Sequence, residues 1–270
     1  MANPFDLAGR VVVVTGGLGQ LGRQFARALI GQGARVAVID VARDDKRIAA
    51  LSEGIDTERL MVLSGDITSR ASLEQALASI EARWETPFGL VNNAALDSPP
   101  DAPAAENGPF ESYPESSFDK VMDINVKGTM LACQVFGGAM ARLGRGSIIN
   151  VASIYGMVSP DQGLYEYRRQ QGETFFKPVA YSISKSAIYN LTRYLAVYWG
   201  LKAVRVNTVT FSGVFNHQHD DFLKKYLPKV PLGRMADEAD YNGAVVFLVS
   251  DAARYMTGSN MVIDGGFTAM

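Results

Sequence analysis

Residues Arg10–Gly22 read RVVVVTGGLGQLG, a run of four valines that passes directly into a glycine-rich segment. A continuous β-branched run is typical of a strand buried on both faces, as in a parallel sheet. Gly17, Gly19 and Gly22 match the spacing G-x-G-x-x-G, which lets backbone N–H groups approach a pyrophosphate at a helix N-terminus. Apolar residues at helical spacing follow up to a glycine stop. The stretch therefore predicts a strand–loop–helix unit that could bind a dinucleotide, although a glycine-rich turn without a ligand would read the same way.

The alternation of strand-like and helix-like segments continues along the whole chain. Strand-like segments lie at 10–17, 34–40, 59–67, 88–95, 146–153, 204–211 and 260–266, and helix-like segments at 21–33, 69–84, 117–142, 178–199 and 238–250. Such alternation is typical of parallel sheets with helices on both faces. We therefore predict an α/β fold in which residues 1–270 form a single-domain, Rossmann-type, doubly wound parallel sheet flanked by helices.

Two long connections are predicted to be irregular. Residues 96–116 are rich in proline, and residues 158–178 separate a strand from the next helix. Long connections in compact domains are often functional, and both of these follow the carboxyl end of a strand, where open α/β sheets bind ligands. We expect both segments to border a substrate site.

The composition narrows the class of partner. With 26 basic and 28 acidic residues, the balanced charge does not favour a nucleic-acid or anionic-membrane partner. Cys133 is the single cysteine, so an internal disulfide is excluded and a reducing compartment fits. No apolar run reaches the roughly 20 residues of a membrane span, and the first residues do not have the layout of a signal peptide. We expect a soluble, cytoplasmic protein.

A carboxylate stands where it could select the dinucleotide. Asp40 ends the second predicted strand, 18 positions after Gly22. There it can accept hydrogen bonds from the ribose hydroxyls of an adenosine and repel a 2′-phosphate, which favours NAD over NADP. The nearby Arg43 weakens this argument, and a strand-end aspartate that caps a turn is the alternative. Asp66 and the segment 92–95 follow the third and fourth strands and could line an adenine and ribose groove, or could be ordinary turn residues.

Tyr181 and Lys185 lie four positions apart in a predicted helix and so share a helix face. A free phenol has a pKa of about 10. The Lys185 ammonium and the positive charge of an oxidised nicotinamide could lower the Tyr181 pKa enough for the phenol to act as a base. Taken alone, the pair would more simply be a helix-surface coincidence. Ser153 favours a catalytic role for the pair, because it ends the strand just before this helix and could hold a substrate oxygen.

Asn125 is locally unfavourable inside a helix, which indicates a polar or kinking role, or else a solvent-facing side chain.

These residues lie in stretches that resemble a known family over nearly the whole chain. The segments TGGLGQLG, VID, GDI, NNAA, DINVKG, VASI, YSISK, RVN and VIDGG occur in this order. The chain resembles the short-chain dehydrogenases/reductases, in their compact dehydrogenase branch. The resemblance implies a catalytic tetrad in which the tyrosine is the general acid/base, the serine orients the substrate, the lysine binds ribose and lowers the tyrosine pKa, and the asparagine supports a proton relay. That tetrad is Asn125, Ser153, Tyr181 and Lys185. The implied cofactor-binding residues are Gly16, Gly17, Gly19, Gln20, Leu21, Gly22, Asp40, Asp66, Ile67, Asn93, Ala94, Ala95, Tyr181 and Lys185.

Three departures from the family pattern concern the site. Gln20 replaces the usual middle glycine of the loop, a spacing similar to the extended, sugar-nucleotide-modifying branch. Phe211-Ser212 replaces the usual Pro-Gly, which leaves the local nicotinamide contacts open. Ser153 and Tyr181 are 28 positions apart, more than the common spacing, so the extra segment should border the active site. Arg168 and Arg169 in this segment could grip an anionic group, or form a solvated charge pair.

The resemblance also implies a mobile substrate lid near 211–234 and a homo-oligomer, a tetramer or dimer, formed through helices near 119–142 and 181–199. His217 and His219 lie in the lid, but histidines two positions apart do not share a helix face, so we expect no metal site. The chain is loosely similar to bacterial oxidoreductases of surface-sugar and nonulosonic-acid pathways and to gluconate dehydrogenases.

We therefore predict an NAD-dependent oxidoreductase that transfers a hydride between a polar, sugar-like or hydroxy-acid secondary alcohol and its ketone. Two alternatives stay open: a sugar-modifying epimerase or dehydratase that uses NAD transiently, and a regulator that binds NAD without turnover.

Overall fold

The computed structural model describes residues 3–42, 44–97 and 104–270. Seven strands form one sheet in the order β3-β2-β1-β4-β5-β6-β7, and every neighbouring pair is parallel. The strands are β1 (Val11–Thr15), β2 (Arg35–Asp40), β3 (Leu60–Ser64), β4 (Gly89–Asn92), β5 (Gly146–Ser153), β6 (Val204–Phe211) and β7 (Asn260–Ile263). Each of the seven predicted segments contains one of these strands, so the predicted fold class is confirmed.

Besides 3₁₀ and π-helical turns, the described residues contain ten α-helices. They are α1 (Gln20–Gly31), α2 (Asp45–Ser52), α3 (Arg70–Arg83), α4 (Glu115–Met122), α5 (Thr129–Ala132), α6 (Gly138–Leu143), α7 (Glu166–Gln170), α8 (Val179–Trp199), α9 (Asp220–Tyr226) and α10 (Asn242–Val249). The predicted helix at 117–142 is α4, α5 and α6, joined end to end by wider π-helical turns at Asp123–Gly128 and Cys133–Gly137. Helix α2 was not predicted; the Asp44 carboxylate caps it by accepting the N–H groups of Lys46 and Arg47.

The position of β1 in the sheet explains why its first four residues are all valine. Successive side chains of a strand point to opposite faces of the sheet, and here both faces are covered. Val12 and Val14 pack in a core with α1 and α10, whereas Val11 and Val13 pack in a second core with α3, the α4–α6 helix and α8. Because both faces are buried, the only polar residue of β1 is Thr15 at its carboxyl end.

A third, smaller apolar cluster lies outside these two cores. It joins Leu164, from the connection between β5 and α8, to Tyr226, Val230 and Met235, which follow β6. We call residues 158–178 the insert and residues 211–234 the lid. The insert and the lid therefore pack on each other rather than on the sheet alone.

The strand order reverses between β1 and β4, because the chain proceeds from β1 to β2 and β3 on one side and from β4 to β7 on the other. In open α/β sheets ligands bind at such a reversal, beyond the carboxyl ends of the strands. The glycine-rich loop follows β1 at this point, and Ser153 ends β5 on the same edge. The fold thus brings the predicted cofactor and catalytic residues to one edge of the sheet.

Candidate active site

The glycine-rich loop between β1 and α1 is shaped by positions that only glycine fits. Gly16 has φ +61°, and a Cβ there would lie 2.7 Å from the Ala94 Cα. A Cβ on Gly22 would lie 2.3 Å from the Gly16 carbonyl oxygen. Gly19 then caps α1 with no side chain over the first turn. The result is a backbone cradle at a helix N-terminus, which fits the pyrophosphate of a dinucleotide.

The cradle is fixed to the neighbouring strand from below. The Thr15 hydroxyl accepts the backbone N–H groups of Asn93 and Ala94 at 3.1 and 3.2 Å. The Asn93 amide donates to the carbonyl oxygens of Thr15 and Gly16 at 3.1 and 3.0 Å. Asn93 therefore holds the ends of β1 and β4 together. Ala95, two positions further along the chain, lines the adjacent cavity.

Asp40 lies beside the cradle, as predicted. Its carboxylate accepts the N–H of Leu18 at 3.0 Å and that of Ala42 at 3.2 Å. These bonds are the turn-capping role weighed from the sequence, and the ribose-binding role of Asp40 stays a prediction. Arg43, which bore on the choice between NAD and NADP, lies outside the described residues.

The structure gives Asp66 and Ile67 local contacts. The Asp66 carboxylate accepts the N–H and the hydroxyl of Thr68 at 2.8 and 2.7 Å, which is turn chemistry. The Ile67 side chain is buried and lies where a Cβ on Gly128 would contact it. A cofactor role of these two residues stays a prediction.

A cavity of about 310 Å³ lies at the carboxyl edge of the sheet, beside the cradle. Three predicted catalytic residues line it: Ser153 at the end of β5, and Tyr181 and Lys185 in the first turns of α8. The Ser153 hydroxyl lies near enough to the Tyr181 phenol to lower its pKa. The Lys185 ammonium donates to the Val151 carbonyl oxygen at 2.9 Å and lies 5.8 Å from the centre of the Tyr181 ring. A hydroxyl, a phenol and an ammonium therefore face one small space.

Burial is the largest influence on the pKa values of Tyr181 and Lys185 in this cavity. Tyr181 as a residue is only partly buried, yet desolvation of its phenol is the largest effect and raises its pKa above the usual value. The Asp97 carboxylate raises the pKa further, and the Ser153 hydroxyl lowers it. Burial also lowers the pKa of Lys185 to about 8, against the opposing effect of Asp97. Desolvation thus dominates the Tyr181 pKa in the protein without a cofactor, and the expectation that Lys185 and an oxidised nicotinamide together lower this pKa stays a prediction.

Asn125 lies beneath the cavity rather than in its wall. It is 2% exposed, so the solvent-facing alternative is wrong. Its amide oxygen accepts the Leu96 N–H at 2.7 Å, and its amide nitrogen donates to the Leu96 carbonyl and to the Ser184 hydroxyl, both at 2.9 Å. Asn125 therefore ties the segment after β4 to α8, one residue before Lys185. The π-helical turn that contains it agrees with the predicted kinking role.

Two charged residues that line the cavity were missed from the sequence. The Lys177 ammonium lies 2.5 Å from an Asp97 carboxylate oxygen and 5.0 Å from the centre of the Tyr181 ring. Lys177 is part of the insert and lies four positions before Tyr181, a spacing that could have drawn attention to it. Asp97 directly follows the NNAAL segment, which offers no such signal.

The two arginines of the insert stabilise the insert itself. Arg169 donates to the carbonyl oxygens of Phe175 and Gln162 at 2.8 and 2.9 Å, and Arg168 pairs with Glu173. Neither arginine lines the cavity. The hypothesis that they grip an anionic substrate is therefore wrong, since their donors already serve the insert.

The lid covers the cavity together with the insert. The ring of Phe222 lies 5.7 Å from that of Tyr165, and the Lys225 ammonium lies 2.9 Å from the Glu166 carboxylate. The Gln20 amide donates to the Phe215 carbonyl at 3.3 Å, so the residue that departs from the family loop links the cradle to the lid.

Phe211 and Ser212, which replace the usual Pro-Gly, both contact Tyr241. The Phe211 ring stacks on that of Tyr241 with centroids 4.0 Å apart, and the Ser212 carbonyl accepts the Tyr241 hydroxyl at 3.1 Å. Ser212 and Gly213 line the cavity.

The lid histidines have other contacts. His219 stacks on Tyr167 at 4.7 Å and accepts the Asp221 N–H. Within the part of the chain that the structure describes, no three His, Cys, Asp or Glu side chains are grouped as metal ligands, and no helix is long and apolar enough to cross a membrane.

Comparisons with known proteins agree with this geometry. Residues 19–268 match a family model described as Enoyl-(Acyl carrier protein) reductase. An NAD-dependent glycerol dehydrogenase of Listeria innocua serovar 6a is 31% identical, covering 98% of this chain and 96% of its own. A D-threitol dehydrogenase of Mycolicibacterium smegmatis is 32% identical, covering 98% and 95%. The crystal structure of a short chain dehydrogenase from Leptospira borgpetersenii serovar Hardjo-bovis with bound NAD+ is 31% identical and superposes with a TM-score of 0.84, covering 99% and 96%. The chain therefore belongs to the short-chain dehydrogenase/reductase family, as an oxidoreductase that acts on CH–OH groups.

Proposed function

We propose that the protein is an NAD-dependent dehydrogenase that moves a hydride between a polar secondary alcohol and its ketone. One observation carries the proposal: the Ser153 hydroxyl, the Tyr181 phenol and the Lys185 ammonium line one cavity beside the glycine cradle. A hydrogen-bonding group, a proton-exchanging group and a cation are what alcohol–ketone interconversion requires of a protein.

In this mechanism the dinucleotide, when bound, accepts or returns the hydride. The Ser153 hydroxyl orients the substrate oxygen, and the Tyr181 phenol exchanges a proton with that oxygen. Because burial raises the Tyr181 pKa, the phenol is protonated at neutral pH and can donate to a ketone oxygen. Oxidation of an alcohol needs the phenolate, so we expect oxidation to gain rate as the pH rises.

The cofactor residues follow from the cradle. The segment from Gly16 to Gly22 would hold the pyrophosphate, with Leu21, Asn93 and Ala95 forming the passage to the cavity. Asp40 supports NAD over NADP, because its carboxylate is held beside the loop by two backbone N–H groups and would repel a 2′-phosphate. The Listeria relative is named for NAD and the Leptospira structure holds NAD+, which supports the same choice.

We also propose that the protein forms a homo-oligomer, a tetramer or dimer, through α8. Tyr194, Val197, Tyr198 and the following Leu201 form an exposed apolar stripe at helical spacing, and Val197 is 85% exposed. Such a stripe on a helix is suited to pack against a second copy. A cytoplasmic location fits the lone, buried Cys133, which cannot form an internal disulfide.

The proposal is tested by NADH formation. The purified protein with NAD and a panel of glycerol, D-threitol, other sugar alcohols and hydroxy acids should accumulate NADH, measured by absorbance at 340 nm. Tyr181→Phe should reduce turnover by about 10²–10⁴-fold while NAD binding, measured by calorimetry, is retained. Product formation without net NADH would support an epimerase or dehydratase instead, and NAD binding without turnover of any alcohol would support the regulator.

A further inference from the structure

The ion pair of Asp97 and Lys177 is unusual in where it lies. Both residues line the cavity that also contains Ser153 and Tyr181. The Lys177 side chain is only 9% exposed, whereas that of Asp97 is 51% exposed. The lysine is therefore the enclosed member of the pair, and the carboxylate is the member that solvent and substrate can reach.

The insert is built so that Lys177 is held in this position. The Gln162 amide accepts the Lys177 N–H at 2.8 Å and donates to the Lys177 carbonyl at 3.1 Å. Arg169 in turn donates to the Gln162 carbonyl. Each of these bonds fixes the backbone next to Pro178, where α8 begins. The backbone that carries the Lys177 side chain is therefore held in place, with the ammonium beside Asp97.

The pair distinguishes neutral from anionic ligands. A carboxylate can accept several hydrogen bonds at once, so a ligand hydroxyl can donate to Asp97 while Lys177 stays paired. A ligand carboxylate would instead face the Asp97 charge, or would have to displace Asp97 from a largely enclosed ammonium. Separating such a pair leaves an uncompensated charge and is strongly unfavourable. Neutral polyhydroxy compounds therefore fit this wall better than hydroxy acids do.

We propose that Asp97, held by Lys177, accepts a hydrogen bond from a second hydroxyl of the substrate and thereby selects neutral polyols over hydroxy acids. The inference rests on the proposed dehydrogenase function and names the substrate class of the same site.

The pair also acts on the proton exchange at Tyr181. The groups that face this phenol are Asp97 after β4, Ser153 on β5, Lys177 in the insert, and Lys185 and Tyr189 on its own helix. Removing the Asp97 charge and leaving Lys177 positive should lower the Tyr181 pKa. Removing the Lys177 charge and leaving the Asp97 charge should raise the Tyr181 pKa. The rate–pH curve for alcohol oxidation should therefore move to lower pH in Asp97→Asn and to higher pH in Lys177→Met.

A matched series of four-carbon compounds tests the inference with the NAD-loaded protein. We expect wild type to oxidise D-threitol in preference to 2-butanol and to the hydroxy acid D-threonate. Asp97→Asn should lower kcat/KM for threitol about tenfold to hundredfold, the equivalent of one hydrogen bond to a charged group, and change that for 2-butanol much less. Calorimetric titration of threitol into the NADH complex should show weaker binding by a similar factor, with unchanged affinity for NADH.

Glu173→Gln is the control, because it removes a carboxylate from the same insert at a pair that does not line the cavity. Its substrate preference and pH profile should match wild type. If wild type forms NADH from no alcohol in the series, the proposed function itself fails. If wild type oxidises threitol but Asp97→Asn keeps the wild-type preference and pH profile, or if wild type prefers threonate, the inference alone is overturned. The Asp97→Asn result decides this even if Lys177→Met does not fold.

Discussion

Lys185→Met should change how the stability of the protein depends on pH. Lys185 is 5% exposed, and burial lowers the pKa of its ammonium from 10.5 to about 8. A lowered pKa means that the folded state favours the neutral amine. The charged form therefore destabilises the fold at neutral pH, and this penalty is removed as the pH rises and the amine loses its proton.

The magnitude follows from the two pKa values. At 1.36 kcal/mol per pH unit, the penalty below pH 8 is about 3 kcal/mol. Between pH 8 and pH 10.5 the unfolded chain binds more protons at this site than the folded protein does, so the free energy of unfolding increases with pH. We expect wild type to gain about 2–3 kcal/mol relative to Lys185→Met between pH 7 and pH 10.

Urea unfolding of both proteins at pH 7, 8, 9 and 10 measures this difference. Groups common to the two proteins contribute equally and cancel, and the lost bond to the Val151 carbonyl adds a constant. Lys224→Met is the control, because Lys224 is exposed and Asp221 raises its pKa above 10.5; any effect of this lysine on stability is lost only above that pH, so the difference from wild type should stay nearly flat from pH 7 to pH 10. A difference between wild type and Lys185→Met that stays flat or shrinks from pH 7 to pH 10 would refute the reasoning.

Three further predictions concern the cofactor site and the helix surface. Asp40→Ala should raise the preference for NADP relative to NAD about fivefold to tenfold, because about 1 kcal/mol of repulsion is lost; unchanged NADP binding would mean that Asp40 only organises the loop. Gly22→Ala should weaken NAD binding, measured by calorimetry, at least about tenfold and lower the free energy of unfolding by about 1–3 kcal/mol, because its Cβ would lie 2.3 Å from a backbone oxygen. Gly31→Ala in the same helix is the control, because a Cβ there has open space and should reduce neither NAD binding nor stability. Val197→Glu should shift the protein to smaller species in analytical ultracentrifugation; retention of the wild-type assembly would exclude the α8 stripe as the interface.

The sequence predicted the seven strands because each lies in a short segment rich in apolar residues, and this holds even for the edge strand β7, which is only partly buried. The valines of β1 are the clearest example, since both faces of a central parallel strand must be apolar. Helix α2 was missed because it has only 8 residues and buries only Leu51, so it shows no extended apolar face. The capping by Asp44 is the signal that could have found it.

The sequence predicted which residues line the site, but it did not predict their pKa values or the ion pair beside them. Ser153, Tyr181 and Lys185 could be brought together because their positions relative to β5 and α8 follow from the fold. The raised pKa of Tyr181 could not be foreseen, because desolvation depends on how completely the insert and the lid cover the cavity. The role of Asp97 depends in turn on Lys177, and the sequence separates these two residues by 80 positions.

The third apolar cluster, shared by the insert and the lid, separates the part that recognises the substrate from the part that keeps the chain folded. Leu164, Tyr226, Val230 and Met235 are buried together without joining the two cores on the sheet. Replacements in this cluster can reshape the cover over the cavity while the strands and their helices keep their packing. Relatives with the same sheet can therefore diverge in the alcohols that they oxidise through changes confined to this outer layer.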